Sequence, residues 1–193
     1  MSVRKAIPQK EGLYFLTITC SQWLWLFDIT NSYEIVYNWF DHLKSKGHLI
    51  CGYVIMPNHF HALIAFRDIG KSINTIVGNG KRFMAYALLE RLKEQQEVGV
   101  LSKLSSDVNE TDRAKGQQHA VFEPSFDWKE CFTEPFISQK LNYTHENPCR
   151  GKWKLAASPK DYKHSSAQFY LTQEQGIYNV TNYRELGDID LTK

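Results

Sequence analysis

Two apolar runs, HLICGYVIM (His48 to Met56) and HFHALIAF (His59 to Phe66), are separated only by Pro57 and Asn58. Proline lacks the amide donor that a continuing ladder needs, and asparagine tolerates turn geometry, so the pair marks a sharp reversal. Runs rich in β-branched and aromatic residues on either side of such a reversal predict an antiparallel hairpin. The rest of the chain has to be arranged around this hairpin.

Upstream, LYFLTIT (Leu13 to Thr19) is aromatic and β-branched, with Thr17 and Thr19 alternating, and reads as a strand. SYEIVYNWFDHLKSKG places Ile35, Val36, Trp39, Phe40 and Leu43 on one helical stripe and stops at Gly47. Downstream, KSINTIVGNGKRFMAYALLERLKEQQ predicts a long amphipathic helix, loosened at Gly78-Asn79-Gly80. Residues Glu97 to Gln118 turn polar and irregular and read as an excursion loop outside the core. HAVFEPSFDW resumes as a short strand interrupted at Pro124. CFTEPFISQKLNYTHENP then predicts a helix with Thr133 as N-cap, Pro135 in the first turn and Pro148 past the end. Strand, helix, strand, strand, helix, strand, helix is the order of an α+β, ferredoxin-like (RRM-like) sandwich, an antiparallel sheet with helices on one face.

The 193 residues, 42% of them apolar and 13% aromatic, suffice for one substantial core. Residues 1–148 carry the predicted elements; 149–193 read as a basic segment and tail packing on them. No apolar run approaches the roughly 20 residues that cross a bilayer, and the N-terminus lacks a signal-peptide pattern, so a cytoplasmic location is expected. Cys20, Cys51, Cys131 and Cys149 are far apart without a CxxC, which suits reduced thiols better than zinc or disulfides. The net charge of +2 carries no nucleic-acid signal by itself. Locally, however, Arg150, Lys152, Lys154, Lys160 and Lys163 stand against Asp161, while the tail carries Glu174, Glu185, Asp188 and Asp190 against Arg184 and Lys193. A basic patch suits phosphate; a solvated lysine-rich loop looks the same.

On a strand, His59 and His61 share one face and Phe60 takes the other. Two imidazoles about 6 to 7 Å apart along the chain can converge on one divalent ion if a third ligand comes from elsewhere. Pro57 and Asn58 would leave that strand start irregular and exposed, opening the site at the sheet's edge. An HxH pair is nevertheless often mere decoration of a solvent face. In the last helix Phe136, Lys140, Tyr143 and Asn147 share one stripe, while Ile137, Leu141 and Thr144 form the stripe facing the core. By itself, a tyrosine there reads as a rim residue.

MPNHFHALI resembles the HUH signature (histidine, hydrophobic, histidine) of IS200/IS605-like single-tyrosine transposases, and above all that of REP-associated tyrosine transposases. SFDWKECFTEPFISQKLNYTHENPCRGKW and DYKHSSAQFY are similar to further phrases of that family, so the resemblance spans Leu13 to Tyr170 apart from the excursion loop. It implies a metal-dependent endonuclease and strand transferase acting on single-stranded or hairpin DNA through a 5′-phosphotyrosine. Carried over, His59, His61 and Asn147 are metal ligands for Mg²⁺ or Mn²⁺, and Tyr143 is the nucleophile. Asn147 stands where relatives often have glutamine, and Pro148 after it pushes its backbone away from helical geometry. Lys81, Arg82, Trp128, Lys129, Lys140 and Arg150 are candidate DNA contacts. The assembly expected is a monomer or homodimer, with the C-terminal extension favouring a monomer. Two other readings stay open: a hairpin-DNA-binding protein without useful catalysis on the same scaffold, and a metal-dependent phosphoesterase using water.

Overall fold

The elements follow the expected order with additions. Strand β1 (Gly12–Thr19) leads through a short 3-10 turn and helix α1 (Leu26–Ile29) into α2 (Glu34–Ser45). The hairpin β2 (Leu49–Met56) and β3 (His59–Phe66) follows, then α3 (Ile73–Glu94), α4 (Val98–Ser106), α5 (Glu110–Ala114), β4 (Asp127–Glu130), α6 (Glu134–Glu146) and α7 (Ala167–Thr172). This computed structural model describes residues 6–187. Asp188, Asp190 and Lys193 of the tail lie outside them. The strands form one antiparallel sheet in the order β2-β3-β1-β4.

On one face of the sheet Tyr14, Leu16, Ile18, Tyr53, Phe60 and Ile64 meet the apolar stripes of α2 and α3 in the main core. On the other face Leu13, Phe15, Cys51, Leu63 and Ala65 are covered by Ile137 and Leu141 of α6. The arrangement with helices on one face therefore holds for α2 and α3, and α6 departs from it. The cause is the strands themselves, which are apolar on both sides and need cover on both. Gly52 sets how close α6 comes, since a Cβ there would stand 2.4 Å from Leu141 Cδ2.

Three further expectations are corrected. Helix α3 is not loosened at Gly78-Asn79-Gly80. It runs unbroken from its cap, Ser72 Oγ, which accepts from the Thr75 amide at 3.2 Å. Gly80 is there for space, because an added Cβ would lie 2.2 Å from Trp39 Nε1. The segment Glu97 to Gln118 is not a loop outside the core: α4 drops Leu104, fully buried, into the main cluster, and Asn109 caps α5. Each helix is too short to show a periodic stripe. The hairpin turn is not exposed either. Asn58 is 1% exposed, and its carbonyl and that of Pro57 accept from the Cys20 and Phe27 amides at 2.8 and 3.0 Å. Strand β3 is thus an interior strand, and the histidine site opens over the sheet face rather than at an edge.

The segment after α6 runs back along β2. The Ile55 amide donates to His164 O at 2.8 Å, the Ser166 amide to Tyr53 O at 3.0 Å, and the Tyr170 hydroxyl to Cys51 O at 2.6 Å. An otherwise open sheet edge is covered in this way. His145 Nε2 lies 2.9 Å from Ser166 Oγ and ties α6 to the same segment. His164 stacks on Tyr33 with centroids 4.0 Å apart. All four cysteines are free thiols. No helix of the described residues is long and apolar enough to cross a membrane.

Two predictions follow from this packing. Gly78→Ala meets nothing within 4 Å and should stabilise α3 by about 0.5–1 kcal/mol. Gly80→Ala should instead destabilise by about 1–3 kcal/mol through the Trp39 clash. Urea unfolding of the two variants separates a continuous helix from a loosened one, in which both changes would stabilise. Burial also pushes the His164 imidazole down to about 4 from 6.5. A depressed folded-state value means the contribution is present above pH 6.5 and is lost as pH falls towards 4, because the unfolded chain takes up the proton first. Unfolding midpoints measured across that window should fall less steeply in His164→Phe, by the uptake of about one proton.

A cleft built by two histidines and the α6 tyrosine

The register of the sheet pairs Thr17 with His61 and Thr19 with His59, so two threonines and two imidazoles share the face not covered by α2 and α3. The imidazole centroids are 4.9 Å apart. His61 Nδ1 lies 2.8 Å from Thr17 Oγ1 and its Nε2 lies 2.9 Å from Asn147 Nδ2. His59 Nδ1 lies 2.6 Å from Asn58 Oδ1. The Asn58 amide nitrogen donates to Trp23 O at 3.0 Å, which leaves its oxygen for the imidazole. His59 therefore donates from Nδ1 and keeps its lone pair on Nε2. With the Asn147 amide donating to His61 Nε2, the His61 Nδ1–H donates to Thr17, and its lone pair also sits on Nε2.

Both rings are nearly enclosed, at 5% and 4% exposure. Burial pushes His59 down to about 4 and His61 well below its ordinary value, with the His59 and Lys140 charges adding to the effect on His61. Neutral imidazoles with oriented lone pairs are what metal ligation requires. Among the described residues no group of three His, Cys, Asp or Glu could hold an ion, so a third donor has to be of another type. The Asn147 carboxamide, already at His61 Nε2, offers its oxygen after a half-turn about its own bond. Two imidazole nitrogens and one amide oxygen without thiolate fit a divalent ion that leaves positions open for phosphate oxygens.

Tyr143 comes to the same place because Ile137, Leu141 and Thr144 bury the opposite side of α6. Its ring lies 5.2 Å from His61 and 6.2 Å from Phe15, and the residue is 50% exposed. One turn earlier, Lys140 Nζ stands 5.2 Å over the Phe15 ring. Asn147 keeps helical backbone, φ −51° and ψ −45°, in spite of Pro148, so its side chain stays on the Tyr143 stripe. Histidines, tyrosine and amide all belong to one chain. They line a cleft of about 680 Å³ whose other margin is β4.

The candidate DNA contacts divide. Lys140, Lys129 and Trp128 border the cleft. Lys129 pairs with Phe15 on the histidine face, but the Trp128 ring packs edge-on against core Tyr14 at 5.9 Å. Lys81 Nζ donates to the carbonyls of Glu123, Pro124 and Ser125, at 2.6, 3.3 and 3.3 Å, and so anchors the loop before β4. Arg82 lies outside the cleft, 5.2 Å over Phe83. Arg150 is exposed and ion-paired with Glu146. Sequence reading missed Phe15, Thr17, Asn58, Trp23 and Trp153 as parts of the site. The alternation of Thr17 with Thr19 pointed to a shared face, but only the strand register sets Thr17 opposite His61.

If the two imidazoles hold a divalent ion and Thr17 fixes the His61 tautomer, Thr17→Val should weaken Mn²⁺ binding by about 10- to 100-fold, read by titration calorimetry. An unchanged affinity would remove Thr17 from the site.

No protein-family model and no curated protein matches the chain. Among solved structures, a REP-associated tyrosine transposase bound to a REP hairpin superposes with a TM-score of 0.62 at 13% identity, over 100% of this chain and 98% of that one. A candidate transposase from Deinococcus radiodurans R1 is more distant, with a TM-score of 0.43 at 13% identity over 73% of this chain and 95% of that one. The chain has the fold of a REP-associated tyrosine transposase, the family that its MPNHFHALI and SSAQFY phrases resemble.

Proposed function

We propose that this chain cleaves and rejoins single-stranded DNA beside hairpins, with Tyr143 as nucleophile. The observation that carries the reading is the Tyr143 ring 5.2 Å from His61 within the same chain. The phenol oxygen attacks the scissile phosphorus, and the bond to the 3′-oxygen breaks. The phenol proton is lost, and the departing oxygen gains one. The product is a 5′-phosphotyrosine and a free 3′-hydroxyl. Because the phosphodiester energy stays in the covalent link, a 3′-hydroxyl from another strand can reverse the step and join DNA without a nucleotide cofactor.

His59, His61 and Asn147 would hold Mg²⁺ or Mn²⁺, which when bound supplies positive charge to the phosphate oxygens. The chain's own part is positional. Thr17 and Asn58 set the imidazole tautomers, Leu141 seats the helix, and Lys140 brings a cation to the Tyr143 side of the cleft. The fold shared with a transposase solved on a REP hairpin supports DNA as substrate.

The test incubates the protein with hairpin oligonucleotides from DNA flanking its gene, in Mn²⁺, and looks for an adduct that survives denaturation. The wild type should form it, Tyr143→Phe should lose it, and His61→Ala should reduce it at least tenfold while DNA binding remains. DNA binding without any adduct would favour the non-catalytic binder, and cleavage that persists in Tyr143→Phe would favour hydrolysis by water.

A further inference from the structure

The end of the cleft opposite Tyr143 is built from tryptophans that the proposed reaction has not used. Trp23 and Trp153 reach His59 with ring centroids at 5.9 and 5.8 Å, and Trp25 lies 5.7 Å from Trp153. Burial does not account for Trp23 and Trp25, which are 58% and 45% exposed, and Trp153 is half-buried. Trp23 is also held in a conformation that side chains rarely adopt: Gln22 and Trp23 have φ of 53° and 57°, successive left-handed residues without glycine. That turn is fastened from three sides. The Trp23 amide donates to Cys20 O at 3.1 Å, the Ser21 amide to Val121 O at 2.9 Å, and Asn58 Nδ2 to Trp23 O at 3.0 Å. Asn58 is the residue that orients His59, so one carboxamide couples the strained turn to the imidazole. Trp153 sits in the basic segment, with Lys152 Nζ 5.3 Å over its ring.

An exposed and a half-buried indole at one end of a cleft, the second beside a lysine, have the composition of a stacking site for unpaired bases. Its position gives it a direction. In phosphoryl transfer the attacking and leaving oxygens lie roughly in line across phosphorus. Tyr143 approaches from the His61 side, so the leaving 3′-oxygen and its nucleoside fall on the His59 side. We propose that Trp23 and Trp153 stack the base of the nucleotide immediately 5′ of the cleaved bond, the one that departs with the 3′-hydroxyl. Such a site holds the departing strand for rejoining and makes that nucleotide unpaired by requirement. The inference rests on Tyr143 being the nucleophile, but its readout does not require cleavage.

The experiment places 2-aminopurine at one position after another along the single-stranded 5′ flank of the same hairpin oligonucleotides and follows its fluorescence. Expected is quenching at a single position, next to the cleaved bond, kept in Tyr143→Phe and lost in Trp153→Ala and Trp23→Ala. Those two variants should bind the strand roughly 5- to 150-fold more weakly, with Trp153→Phe restoring most of the loss. Adduct formation without quenching at any position overturns the stacking site and leaves the reaction standing. So does quenching that survives both alanine variants. Tryptophan-dependent quenching without an adduct in any protein upholds the site and overturns the cleavage reading. Neither quenching nor binding with any of these hairpins overturns both.

Discussion

The seat of Leu141 over Gly52 is the contact on which the rest of the site depends. The second face of the sheet has an apolar half, around Leu13, Phe15, Leu63 and Ala65, and a polar half carrying Thr17, His59 and His61. Helix α6 can bury Ile137 and Leu141 only over the apolar half. With no side chain at Gly52 it lies close to the sheet, and its remaining stripe overhangs the polar half. Tyr143 and Asn147 thereby meet His61 without a dedicated loop, and the scaffold that positions them is the one that stabilises the fold.

The chemistry of the cleft rests on keeping two imidazoles uncharged at close quarters. Burial makes the charged forms costly, and the oxygens of Asn58 and Thr17 accept hydrogen bonds from the Nδ1–H groups, so both rings present the same nitrogen. Asn58 does this from within a buried turn, which explains why an asparagine should precede the first histidine. A more exposed turn would leave that side chain to water and the ring free to rotate.

Much of the fold was legible because its long elements have strong periodicity. The hairpin, α2, α3 and α6 are where alternation or a helical stripe places them, and Ile137, Leu141 and Thr144 do face the core. Helices α4 and α5 were not legible, since a nine-residue helix with one fully buried side chain carries no stripe. Gly80 misled for a related reason. A glycine that weakens a helix and a glycine that admits a neighbour's ring read the same until Trp39 is seen against it.

Local patterning by itself determined that His59 and His61 share a face, and that Tyr143 and Asn147 share a stripe, because both follow from backbone periods of 2 and about 3.6 residues. Only the tertiary structure decided that these two sets meet. Their meeting depends on strand register, on the face chosen by α6 and on a close approach at Gly52, all of them relations between residues far apart in the chain. It also decided that the tryptophans before the hairpin and beyond α6 close the other end of the cleft, for no local period connects Trp23 to Trp153.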